Sequence, residues 1–150
     1  MSHSYYCQLS HVVFTVKDRF PLLSDSIRER LFPYIGGIVR DQESVLLKAG
    51  GTADHVHLLL SFPPKIALVP LVRAVKACSS KWIHELFPEK RGFAWQEGYG
   101  AFSVSFSNAE KVKRYIENQE EHHRKQTAGE EFIALLKKHG VPFDERYLWK

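Results

Sequence analysis

With 150 residues, 44% of them hydrophobic and 25% charged, the chain fits one domain with a real core and reads as an ordinary globular protein rather than a disordered one. Its formal charge of +4 is compatible with a polyanionic partner but does not demand one. No apolar run approaches the roughly 20 residues that span a bilayer, and no signal-like segment opens the chain. Cys7 and Cys78 lack the number and spacing of a disulfide scaffold or zinc ribbon, so buried free thiols in a reducing cytoplasm are expected.

Residues 5–16, rich in aromatic and β-branched side chains, predict a first strand. Ser24 or Asp25 caps a helix through about Asp41, with Ile27, Leu31, Ile35 and Ile38 at helical spacing. A second strand covers residues 44–48, Gly50 and Gly51 mark a turn, and residues 54–62 run back as a third strand ended by Pro63 and Pro64. Pro70 sits in the first turn of a helix reaching about Phe87, where proline is tolerated. Residues 91–100 read as loop and 101–106 as a fourth strand. Ser107 with Glu110 forms a capping-box pattern that opens a helix to about Lys125. A short helix over 130–139 ends at Gly140, before a tail carrying Tyr147 and Trp149.

This order, β-α-β-β-α-β-α with a terminal helix, predicts an α+β fold of the ferredoxin-like split βαβ kind: an antiparallel sheet with helices on one face, plus a C-terminal helix. That architecture hosts many unrelated activities, so function has to be read from a site.

Alternation along the third strand puts His55 and His57 on one face and Val56, Leu58 and Leu60 on the other. Imidazoles two residues apart, about 6–7 Å along a strand, can converge on one divalent cation. A hydrogen-bonded, half-buried histidine pair would produce the same pattern. On the helix after Ser107, Val112, Tyr115, Ile116 and Gln119 share one face. A glutamine on a core-facing stripe needs a polar partner, and a metal over the neighbouring strand would supply one. Ordinary amphipathic packing of Tyr115 is the alternative.

The string Asp54-His55-Val56-His57-Leu58-Leu59 resembles the His-hydrophobic-His signature of the HUH nucleases. Tyr115-Ile116-Glu117-Asn118-Gln119, followed by His122-His123, resembles the catalytic helix of their single-tyrosine transposases. Trp95-Gln96-Glu97-Gly98-Tyr99, Ser103-Val104 and the opening His11-Val12-Val13-Phe14 with Arg19, Pro21 and Leu22 are similar to that family too. It includes insertion-sequence transposases that move as single-stranded DNA and transposases associated with repetitive extragenic palindromes.

The resemblance implies that His55, His57 and Gln119 ligate Mg²⁺ or Mn²⁺, and that Tyr115 is the nucleophile joined to a 5′ phosphate. It further implies single-stranded DNA bearing hairpins as substrate, no nucleotide cofactor, and a homodimer in which the tyrosine helix of one subunit serves the histidines of the other. A domesticated, non-catalytic binder of hairpin DNA or RNA, or a hydrolytic metalloenzyme using the histidines alone, would be the competing readings.

The DNA surface is less sharply drawn. Arg73 and Lys76, with Lys81 beside them, form a polar helix face that either follows a phosphate backbone or is simply solvated. Lys111 and Arg114 lie next to Tyr115 and are candidates for holding the scissile strand. Trp95 and Tyr99 either stack on unpaired bases or pack in a core. Asp54 either orients a histidine or serves the turn. His11 reads as a structural strand residue, and His122 and His123 have no assigned role.

Overall fold

The computed structural model describes residues 3–148, so the predicted tail residue Trp149 lies outside the described residues. Four strands, β1 (Leu9–Thr15), β2 (Val45–Gly51), β3 (His55–Ser61) and β4 (Gly100–Val104), form one sheet in the order β2-β3-β1-β4, and every neighbouring pair is antiparallel. With helix α1 (Asp25–Asp41) between β1 and β2, and α2 (Leu68–Leu86) between β3 and β4, this is the ferredoxin-like split βαβ arrangement.

Alternation along the strands divides the molecule into two layers. Val12, Phe14, Val56, Leu58 and Leu60 face α1 and α2, where they pack with Leu31, Ile35, Val72 and Val75 into the main core. The N-cap of α1 is as expected, with the Ser24 hydroxyl accepting from Ile27 N–H. The other sheet face carries Leu9, His11, Val13, His55, His57 and Leu59. It is covered by α3 (Ala109–Glu117), the single turn α4 (Gln119–His122) and α5 (Ala128–Lys138). Each fully buried aliphatic such as Ile116 contributes about 1.5–3 kcal/mol to this second layer.

Several boundaries differ from the sequence expectation, each for a local reason. β1 begins only at Leu9, and Tyr5 and Tyr6 are exposed. Gly50 and Gly51 are not a turn but the end of β2. Gly50 lies directly opposite His57, and a Cβ there would stand 2.1 Å from the carbonyl oxygen of Ile116. Glycine therefore lets the end of α3 come down onto the sheet. Gly100 does the same for α5, since a Cβ would meet the Phe132 ring at 2.4 Å.

The capping box does not form. Asn108 is the N-cap of α3 without a side-chain cap bond, and the Ser107 hydroxyl pairs with that of Ser105. The expected single helix to Lys125 is interrupted at Asn118. Cys7 and Cys78 are free but exposed, not buried. Among the described residues no helix is long and apolar enough to cross a membrane.

The two seating glycines give a first test. Gly50→Ala should destabilise the protein by about 1–3 kcal/mol through overpacking against backbone. Gly37→Ala, in α1 with nothing within 4 Å of its added methyl, should instead stabilise by up to about 1 kcal/mol. Thermal unfolding of both variants decides it, and equal midpoints would contradict the seating role.

Candidate active site

The site forms where β3, α3, α4 and α5 meet. β3 presents His55 and His57, both buried, on the face beneath α3. α3 carries Tyr115, α4 begins with the buried Gln119, and α5 contributes Glu131, only 2% exposed. The carboxylate of Glu131 is the meeting point. Its Oε1 lies 2.8 Å from His57 Nε2, 3.2 Å from His123 Nε2 and 3.5 Å from His55 Nε2. The Tyr115 hydroxyl donates to its Oε2. Gln119 faces the same point: Oε1 is 3.1 Å from His55 Nε2 and 3.2 Å from His123 Nε2, while its Nε2 donates to the Tyr115 carbonyl.

The histidines are oriented from behind. His55 Nδ1 is 2.7 Å from Asp54 Oδ1 and 3.0 Å from the Thr52 hydroxyl, which itself donates to Asp54. His57 Nδ1 is 2.7 Å from His11 Nε2 on β1. The partners at Nδ1 thus direct Nε2 of both His55 and His57 into the site, the arrangement by which an outer partner fixes a metal-binding imidazole. In the His11–His57 pair either ring can donate. Reversing that one hydrogen bond moves the His57 proton from Nε2 to Nδ1 and frees Nε2 as a ligand.

The electrostatics divide these groups. Burial disfavours charge on His55, but bonds to Asp54 and Glu131 outweigh it and raise the pKa to about 9. Burial holds His57 below the ordinary histidine value, and burial with the nearby His57 drops His11 to about 3. Burial would raise Glu131, yet the bonds from His123, His55 and His57 hold it well below the usual carboxylate range. Tyr115 is pushed far above the ordinary phenol value by burial and by its bond to the Glu131 carboxylate. As arranged, the proton stays on the phenol.

His55, His57 and Glu131 present one ligand atom each within 4.8 Å of one another, a grouping that fits a divalent cation. Two imidazole nitrogens with a carboxylate oxygen, and the Gln119 amide oxygen beside them, form a mixed N/O donor set of the kind such ions take. Residues 4–119 match the family described as IS200-like transposase. The chain belongs to the IS200-like transposase family.

Relatives agree. The chain is 28% identical over 114 residues to the ISDra2 transposase TnpA of Deinococcus radiodurans, which covers 73% of this chain and 81% of that one. A crystal structure of a Deinococcus radiodurans protein assigned as a transposase superposes with a TM-score of 0.66 at 26% identity, covering 79% of this chain and 96% of that one. A REP-associated tyrosine transposase bound to a REP hairpin shares the fold, with a TM-score of 0.57 at 14% identity over 79% of this chain and 71% of that one.

The other candidates of this transposase fall in different places. Lys111 and Arg114 are exposed on α3, and Lys111 lines a groove whose wall includes Tyr115. Arg73 and Lys81 are exposed on α2, across the sheet from the histidines, and Lys81 stands 3.9 Å from Glu85. Lys76 does not face solvent freely, because its ammonium donates to the carbonyls of Gln96, Glu97 and Gly98. Trp95 is not a surface for bases: it is buried against Phe14 and Phe93, and its indole N–H donates to Ser79. Tyr99 is half-buried against the main core. Gln96 is structural too, tying Thr15 to the carbonyl of Leu148.

One site residue escapes a reading by motif, and three others fall within the motifs without a role at the site being assigned to them. Glu131 lies on α5, beyond the family-matched segment, and shares a face with Ala128, Phe132 and Leu136. A carboxylate on so apolar a face is the signal that a partner must exist. His123 joins Glu131 and Gln119, and His122 packs on the Tyr115 ring at 4.6 Å. His11 is a strand residue, as expected, and in addition the partner that orients His57.

Protons and cations compete for His55 Nε2, so the pKa of about 9 sets a pH dependence with a definite sign. Apparent Mn²⁺ affinity should rise about tenfold per pH unit between about pH 6 and 8, with one proton released on binding. Calorimetric titration across that range checks it. Asp54→Asn should weaken affinity by about tenfold or more and flatten the dependence, because the neutral amide no longer sustains the imidazolium. A flat wild-type profile would contradict the assignment.

Proposed function

We propose that this transposase cleaves and rejoins single-stranded DNA at hairpin-bearing element ends, with Tyr115 as nucleophile and a divalent cation, Mg²⁺ or Mn²⁺, held by His55, His57, Gln119 and Glu131. The observation that carries this reading is the Tyr115 hydroxyl hydrogen-bonded to the same carboxylate that the two strand histidines approach. The phenol and the imidazoles lie beside one another within one chain.

In the reaction the Tyr115 oxygen forms a bond to phosphorus as the bond to the 3′ oxygen breaks. The phenol gives up its proton and the leaving oxygen gains one, so a 5′-phosphotyrosine and a free 3′ hydroxyl result. One phosphodiester is exchanged for another, and rejoining therefore needs no nucleotide cofactor. A bound divalent cation would supply charge neutralisation on the phosphate's non-bridging oxygens and orient the phosphorus for in-line attack.

The protein's own groups do the positioning. Glu131 holds the hydroxyl oxygen at the histidine pair, and the His122 and His57 rings flank the phenol. Gln119 ties its amide to the Tyr115 carbonyl, so the nucleophile and this ligand move as one unit. Each chain carries one such tyrosine, whereas excision takes two cuts. Two copies acting as a homodimer are part of this proposal.

The experiment uses labelled single-stranded DNA from the sequence flanking the gene, with Mg²⁺. Wild type should cut it near a hairpin and leave the fully paired duplex nearly untouched. Tyr115→Phe, which removes one oxygen and keeps the ring, should lose cleavage by a factor of at least about 10³ while still binding the hairpin. Equal cutting of duplex and single strand, or an active Tyr115→Phe, would overturn the reading. A wild type that binds hairpins but never cuts would favour the non-catalytic binder instead.

A further inference from the structure

Two clefts flank the tyrosine helix, and their charges are opposite. The cleft between α1 and the α3–α4 junction is lined by the carboxylates of Asp25, Glu29, Glu117, Glu120 and Glu121, against three cations. A phosphate backbone would meet a surplus of like charge there. The groove on the other side of α3, about 540 Å³ between α3, α5 and the edge strand β4, is lined by no carboxylate among the described residues. Its walls carry Lys111, Lys138, His11 and His139, with Tyr115 itself forming part of the lining. Its volume lies in the range of sites that take a small ligand or a nucleotide-sized piece of a larger one.

Lys111 and Lys138 are exposed, and neither has an ion-pair partner among the described residues. Neighbouring Lys113, by contrast, is engaged by Glu110 at 3.1 Å. Ser105 and Asn108 also line the groove, and Phe106, between them in sequence though not itself part of the lining, is 78% exposed on a short 3-10 turn. Unpaired cations along a groove with an exposed aromatic beside it are the two elements of single-strand recognition: the first track phosphates, the second stacks on a base.

We propose that the α3–α5 groove is the path by which the unpaired DNA segment next to the scissile phosphate reaches Tyr115. Lys111 and Lys138 hold its phosphates and Phe106 stacks on one of its bases. This deepens the proposed function and depends on that reading for the identity of the strand. α5 then has two tasks: its inner face delivers Glu131 to the site, while Lys138 near its C-terminal end contacts the substrate.

The test uses a fluorescein-labelled dT12 oligonucleotide, followed by anisotropy at several NaCl concentrations. Wild type should bind. Lys111→Glu/Lys138→Glu should bind at least about tenfold more weakly, with a log–log salt slope shallower by about 1.4, two phosphate contacts at about 0.7 each. Phe106→Ala should lose about fivefold or more with the slope unchanged. Arg124→Glu, in the acid-rich cleft, should stay within about twofold of wild type. Thermal unfolding verifies each fold, and Lys138→Gln carries the charge test if the double variant unfolds.

Absence of wild-type binding, indifference to the groove variants, or an equal loss in Arg124→Glu would overturn the proposal. A protein that cleaves DNA through Tyr115 but binds dT12 independently of these residues refutes the groove alone. A protein that binds dT12 through them yet never cleaves refutes the transposition chemistry and leaves the groove standing as a single-strand site.

Discussion

A carboxylate only 2% exposed, that of Glu131, persists as an anion in this protein because imidazole nitrogens and a phenol converge on it. An unpaired charge so placed would cost several kcal/mol, and removing one partner of such a set commonly costs about 3–5 kcal/mol. The arrangement therefore holds three separate elements to one geometry: β3 through His57, α3 through Tyr115, and the segment after α4 through His123. Stability and function make opposed demands here. The same contacts that bury Glu131 comfortably keep the Tyr115 proton in place, whereas the proposed function requires that proton to leave.

Two glycines make that convergence possible. Gly50, opposite His57, admits the Ile116 carbonyl, and Gly100, opposite Val13, admits the Phe132 ring. The first seats the helix that carries Tyr115, and the second seats the residue next to Glu131. Without them α3 and α5 would ride higher over the sheet, and the phenol and carboxylate would no longer reach imidazoles fixed to β3. Ion pairs on the far side of α3, Lys48 with Glu117 and Arg28 with Glu120, hold the α3–α4 junction against β2 and α1. Arg28 is nearly buried, so its pairing is screened less than that of a surface bridge.

What could be read in advance follows from the range of the signal. Strand alternation placed His55 and His57 together, and helical spacing put Tyr115 on one face with Gln119, because both are local regularities. The seat of α3 leaves no mark in the sequence, because a glycine tolerating close approach, as Gly50 does, looks in one dimension like a glycine making a bend. The break at Asn118 likewise leaves no clear mark, since Tyr115 and Gln119 keep their four-residue spacing across it. Glu131 belongs to a helix whose apolar stripe was legible, but its partners come from segments up to 76 positions away, as with His55. Trp95 and Lys76 show the converse. Residue types suited to nucleic acid are used here to close a core and to gather the carbonyls of a loop.

The central claim is that the phenol at the carboxylate-histidine cluster is the group that becomes joined to DNA, and the linkage itself is the most direct thing to measure. Wild-type protein incubated with Mn²⁺ and the single-stranded flanking DNA, denatured, and digested with protease and nuclease should yield one modified peptide. Mass spectrometry should place a nucleotide, attached through its 5′ phosphate, on Tyr115. A modified peptide containing a different tyrosine, or cut DNA bearing free 5′ phosphates with no protein attached, would contradict the account.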